Sequence, residues 1–418
     1  IKDRINTLIG KFNKYNIDGY IIPKNDEFFS EYSANDRLKT ISNFSGSAGY
    51  SIILKKKKYL FVDGRYTIQA KKQAGGAFNI IEIPYIWPKN LPFLYDHKIG
   101  FDPKLFTKKT LEKYFENKFN LVPIGFNFKN KKENKFIKAY NLKDSVTGES
   151  SISKINNIKK YMKLNNINYL YSSASENVNW LLNIRGKDLP NSPLVNCKLL
   201  VTAKGKLHLF INLNKIINLK KTFKNFTIHN ENDFFKTIMN LKNGNFSIDE
   251  NTCSIFEYQI INSKFKITHF SDPIYNLKSI KNKTEIKNTR KAHIEDGIAL
   301  TKFLYWFKNN KKQITEKKIE LKLENFRKSS KNYLYKSFDT IAGSGPNGAI
   351  IHYKSNNKTN RKLKKNDILL IDSGGQYKWG TTDVTRTTVS GKISNKIKEN
   401  FTRVLKGHIA VFLCNINK

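Results

Sequence analysis

A chain of 418 residues is too long for one ordinary hydrophobic core, so two or three domains are expected. With 39% hydrophobic and 13% aromatic residues it is not a disordered chain, and no run of eighteen apolar residues is present from which to build a transmembrane helix. The net charge of +41 suggests nucleic acid or an anionic membrane, but Lys rather than Arg supplies most of the 75 basic residues and is scattered along the chain with much Asn and Ile, as an AT-rich coding sequence dictates.

Nucleic-acid sites concentrate Arg and aromatic residues on one face, so neither a specific nucleic acid nor a membrane is an expected partner. Residues 3–15 have the apolar spacing of an amphipathic helix (Ile5, Leu8, Ile9, Phe12) and lack the apolar core and cleavage site of a signal peptide. A strand at Gly19–Ile22 is stopped by Pro23. Ser51–Leu54 and Tyr59–Val62 form a hairpin around Lys55–Lys58, and Gly46 and Gly49 permit close backbone approach. Asp63 then caps a helix beginning near Tyr66. Ser30, Glu31 and Asp36 are read as packing and capping side chains. Lys98–Phe101 is a further strand, and residues 127–147, rich in Lys and Asn, mark a linker.

A second unit repeats this plan, with a helix at 150–164 and strands at 169–171 and 198–202. The third unit begins near Asp272-Pro273 with a long amphipathic helix over 281–306, in which His293 is a helix-face residue rather than a metal ligand. Ser337–Ile341 reads as a strand and GSGPNG as a loop, after which Ala349–Tyr353 returns His352 to a strand end. A His placed there can hydrogen-bond a substrate carbonyl or a tetrahedral oxygen, or can be an ordinary satisfied His. Cys197, Cys253 and Cys414 are too widely spaced for a disulfide framework or a Cys-x-x-Cys pair and read as buried free thiols of a reducing cytoplasm.

The stretch DSGGQYKWGTTDVTRT, residues 372–387, is the most informative. Asp372 ends the apolar run Ile368–Ile371, and Asp383 sits in a Thr/Val-rich run, Thr381 to Val389, with the composition of a second strand. A fold-back near Tyr377 and Lys378 sets the two aspartates opposite each other. Carboxylates that close repel unless a proton or cation lies between them, and two divalent ions would use both. The alternative is turn chemistry, with Asp383 hydrogen-bonding a nearby amide.

Three sets of motifs carry a resemblance. They are SEY, SNFSGSAG and DGRYTIQA in the first unit, WLLNIRGKDLP in the second, and KNKTEIKNTRKAHIEDG with DSGGQYKWGTTDVTRT in the third. Together they resemble the long Xaa-Pro aminopeptidases (aminopeptidase P) of the pita-bread metallopeptidase family, M24. Asn43 replaces a glycine and Trp379 an aspartate of the usual patterns, and GSGPNG is longer than the usual polar stretch. The resemblance implies an α/β (α+β) fold: two creatinase-like N-terminal domains (1–135 and 145–275) followed by an incomplete pita-bread domain (276–418).

It also implies hydrolysis of the first peptide bond before a proline by a metal-bridged hydroxide. Asp372 and Asp383 would be ligands of two divalent metals, manganese in most relatives. His352, in a loop matching the family's at Asn347, Ala349 and Tyr353, would be the substrate and transition-state contact. Peptides with proline second, a homodimer and a cytoplasmic location come with it. Ile1 in place of Met, and an end at Lys418 just after an apolar segment, point to a piece of a longer reading frame. The remaining His and two Glu ligands would then lie beyond residue 418, and residues 1–418 alone would be inactive. The rivals are a prolidase or creatinase on the same fold and a non-catalytic pita-bread module that binds peptides or proteins.

Overall fold

The protein is described from a computed structural model, which covers all residues except 31, 32, 34, 117–118, 127–136, 220–222, 311 and 415–418. Glu31 and residues 127–136 of the expected linker at 127–147 lie outside the described residues. The chain divides into two compact units, Ile1–Thr289 and Arg290–Lys418.

The first unit holds two six-stranded sheets. Strands β1 (Gly19–Pro23), β2 (Tyr50–Leu54), β3 (Lys58–Asp63), β4 (Asn79–Ile83), β5 (Lys98–Phe101) and β6 (Asn120–Pro123) lie in the order β4-β3-β2-β1-β5-β6. A two-stranded ladder joins β7 (Tyr140–Asn141) to β9 (Ile184–Arg185). The second large sheet comprises β8 (Tyr169–Ser172), β10 (Cys197–Thr202), β11 (Leu207–Ile211), β12 (Phe226–His229), β13 (Phe246–Ile248) and β14 (Ile267–His269), in the order β12-β11-β10-β8-β13-β14. Position by position the two sheets also share strand directions: antiparallel for β1/β2 and β8/β10, parallel for β1/β5 and β8/β13. The repeated plan read from the sequence is therefore present.

Alternation along the strands divides each sheet between two cores. Ile22, Ile53 and Leu60 pack on one face of the first, and Ile21, Ile52 and Phe61 on the other. Leu199 and Leu209 are likewise separated from Leu200 and Phe210 in the second. Burial on both faces explains why these strands read as continuous apolar runs. Gly49, at φ +141°, lies where a Cβ would meet the Phe61 carbonyl oxygen at 2.8 Å. Asp36 caps the helix Arg37–Ser42 by accepting from Lys39 N. Asp63 caps no helix; it accepts from the backbone and guanidinium of Arg65, and the next helix, Thr67–Ala74, starts after Tyr66. Cys197 and Cys253 are buried free thiols, but Cys414 is exposed.

The second unit packs residues 290–309 of the helix Lys283–Asn309, and the helix Glu316–Lys328, beside two small sheets. The strands are β15 (Tyr333–Lys336), β16 (Ile341–Ser344), β17 (Ile368–Ser373), β18 (Gly375–Tyr377), β19 (Gly380–Thr381) and β20 (Val384–Val389), ordered β15-β18-β19 and β16-β17-β20. The strand expected at Ser337–Ile341 is replaced by β15 and β16 on either side of it. Ala349–Tyr353 is not a strand: Gly345–Ala349 is a 3-10 turn and His352 follows in a turn. His293 is exposed on its helix. The helix Asn395–Leu413 has no buried residue among those described, and Phe401, Val404, Val411 and Phe412 are exposed. No described helix is long and apolar enough to cross a membrane.

Candidate metal centre

The site is built on β17, the central strand of its sheet. Leu369 and Ile371 are fully buried against Leu300, Phe303, Ile319, Leu323 and Ala342, so strand alternation turns Leu370 and Asp372 to the opposite face. After Ser373 the chain must bend from one sheet into the other, and only glycine fits there. A Cβ on Gly374 would stand 2.0 Å from the Thr382 carbonyl oxygen and 2.2 Å from Ser337 Oγ. Thr382 closes the bend, its hydroxyl accepting from Gly375 N at 2.9 Å.

The hairpin turn lies at Lys378-Trp379, with Tyr377 paired to Gly380. Its indole is covered by the Lys291 ammonium at 3.9 Å, which gives Trp379 a packing role in place of the acidic residue of the usual pattern. The turn is one residue later than a fold-back at Tyr377 and Lys378 requires, and the register therefore moves by two. Asp372 pairs with Thr385, and Asp383, just ahead of β20, is its diagonal neighbour. A two-residue offset leaves both aspartates on one face, where diagonal neighbours are about 7–8 Å apart and their Cβ atoms somewhat closer.

Burial raises the Asp372 carboxyl above the usual carboxylate range, and the adjoining Asp383 raises it further as a charge and hydrogen-bonding neighbour. The Thr385 hydroxyl and His352 act in the opposite direction. Asp372 Oδ1 is buried with no hydrogen-bond partner among the described residues. Two neighbouring carboxylates, one with an orphaned buried oxygen, fit a hard divalent cation. The described residues hold no group of three or more His, Cys, Asp or Glu that could ligate one. His352 is half-buried at φ +55°, a conformation that costs a non-glycine residue about 1–3 kcal/mol and persists only where its surroundings impose it. The structure thus brings Asp372, Asp383 and His352 together.

Sequence reasoning missed the buried support. Arg327 and Asp296 are 0% and 3% exposed and form a two-pronged pair at 2.6 and 3.1 Å. Burial opposes the Arg327 charge, but Asp296 outweighs it and holds the guanidinium above its usual range. Tyr377 OH donates to Asp296 at 2.8 Å, and Arg327 donates to Ser373 Oγ at 3.0 Å, one residue from Asp372. Both charges lie on ordinary helical positions, so nothing local announces them. Arg327→Met should cost about 3–5 kcal/mol by leaving the Asp296 carboxylate buried and unpaired. Urea unfolding checks this, and Asp296→Asn in the same chain should return part of the loss.

The chain matches known families along its length. The Creatinase/Prolidase N-terminal domain matches twice, at residues 4–125 and 130–285, and Metallopeptidase family M24 matches residues 287–414. A probable Xaa-Pro aminopeptidase P of Laccaria bicolor is 33% identical over 98% of this chain and 68% of its own length. Xaa-Pro aminopeptidase 1 of Dictyostelium discoideum is 32% identical over 95% of this chain and 68% of its own. An X-prolyl aminopeptidase of Caenorhabditis elegans, described as a cytosolic enzyme with a di-nuclear active site, superposes with a TM-score of 0.90 at 28% identity, covering 97% of this chain and 73% of that one. With relatives of this identity and extent, the chain belongs to the Xaa-Pro aminopeptidase P family of M24 metallopeptidases.

Proposed function

We propose that the protein is a metal-dependent aminopeptidase that releases the residue ahead of an N-terminal Xaa-Pro bond. The observation that carries this is the pair Asp372 and Asp383 on one face of the hairpin, in a region matching family M24, with a buried Asp372 oxygen lacking a partner. In this reading both aspartates hold two divalent cations, taken to be manganese, and a His and two Glu beyond residue 418 complete the set. When bound, such cations supply a nucleophile at neutral pH and polarise the scissile carbonyl. His352 contacts the substrate oxygen on which negative charge develops. The division into domains at 1–135, 145–275 and 276–418 belongs to the same reading, as does a homodimer. A cytoplasmic location is supported by the cytosolic relative and the buried free thiols.

The test is release of the first residue from a short peptide with proline second, by a protein that includes the completing ligands. Activity should vanish on chelation and return with manganese. Cleavage restricted to Xaa-Pro dipeptides would favour a prolidase, and turnover of creatine a creatinase. Peptide binding without cleavage under any divalent cation would leave a non-catalytic module.

A further inference from the structure

We propose that Glu316 is a positioning residue for His352, fastening both ends of the segment that presents the imidazole to Asp372. This deepens the hydrolytic reading and rests on it. Glu316 is 0% exposed and opens the helix Glu316–Lys328, where Thr315 is the N-cap. Its carboxylate faces the 344–361 segment. Oε1 accepts from Ser344 N at 2.8 Å, Ser344 Oγ at 2.9 Å and Asn347 Nδ2 at 3.1 Å. Oε2 accepts from Asn347 Nδ2 at 3.1 Å, Tyr353 OH at 2.8 Å and Arg361 N at 3.0 Å.

These donors come from the end of β16, from the 3-10 turn, from the residue after His352 and from the far end of the segment. One carboxylate thus ties the points between which the chain must turn at His352 with φ +55°. Two further ties flank it: Arg361 donates to Ser344 Oγ at 3.0 Å, and Lys354 pairs with Asp339, which also holds Lys336. A carboxylate accepts at both oxygens and carries no donor of its own, so all five converging donor groups meet acceptor lone pairs, some of them shared. An amide of the same shape would point its own N–H groups at some of them and leave those donors unpaired.

The experiment is a double-mutant cycle on Xaa-Pro cleavage, with metal content measured alongside. Glu316→Gln should lower kcat by about 10–100-fold, the range for loss of a partner that orients an active group, with bound metal unchanged. On a His352→Ala background the same change should add almost nothing, because the group it positions is gone. A full further loss on that background overturns the proposal. A second readout needs no activity: imidazole NMR of residues 1–418. The His352 resonance should move or broaden in Glu316→Gln while those of His208 and His229 stay put, and an unchanged His352 resonance also overturns it. Should Glu316→Gln fail to fold, Tyr353→Phe removes one of the bonds and should give the same pattern at smaller size, with the same outcomes deciding. Absence of Xaa-Pro cleavage in the unsubstituted protein would remove the functional reading alone and leave the NMR comparison to decide the role of Glu316.

Discussion

Asp383→Ala is expected to abolish Xaa-Pro cleavage and leave the fold almost unchanged. Asp383 is exposed and stands just outside the β17/β20 ladder, so its loss opens no cavity and breaks no strand pairing. Exposed substitutions of this kind usually change stability by no more than about 0.5 kcal/mol. The effect on the site is of another order. In the proposed reading Asp383 would help hold the divalent cations, and an alanine there would leave them without that carboxylate. Turnover should fall by well over the roughly 10–100-fold that follows loss of an outer partner of a metal site. Metal content, kcat/KM and urea unfolding of the variant decide it together. Full activity with both metals retained would remove Asp383 from the ligand set.

His352→Ala should lower kcat by about 10²–10³-fold, the usual effect of removing one donor to a developing oxyanion, while metal content stays the same. Alanine at this position keeps a side chain under the same positive φ, so the backbone strain persists and the loss reports the imidazole itself. KM should change much less than kcat, because the contact strengthens as charge develops. Loss of bound metal at unchanged turnover per metal would make His352 a ligand or scaffold residue.

The sequence disclosed those parts of the fold that are decided locally. The β2/β3 hairpin around its Lys turn, the Asp36 cap and the repeated sheet plan follow from alternation and capping chemistry over a few residues. What it concealed depends on distant partners. Asp63 has the look of a cap, but the guanidinium two residues on occupies its carboxylate. The segment 333–344 divides into β15 and β16 because β18 takes one part and β17 the other, a choice made by residues far along the chain, as in the pairs Tyr333–Tyr377 and Ile341–Asp372. In the site, residue types placed Asp372, Asp383 and His352 in one neighbourhood. The pairing register did not follow from them, since a turn centred one residue later moves every partner by two. The buried Arg327–Asp296 pair and the Glu316 carboxylate were illegible for the same reason: their partners are assembled from separate stretches of chain.

Asp372 lies on the same short strand as Leu369 and Ile371, and the two kinds of side chain are locked in alternation. A methyl group gained or lost at residue 371 is therefore also a displacement of a carboxylate. In the sheets of the first unit, a lineage can exchange one apolar side chain for another and repay the volume at a neighbour with little loss of stability. On this strand such drift is heard at the site, and compensation must restore position as well as volume. Divergence in the two units is thus governed by different tolerances. Harmless-looking interior replacements in the second should surface as catalytic defects, and suppressors of those defects should map to the hydrophobic neighbours Phe303, Ile319 and Leu323.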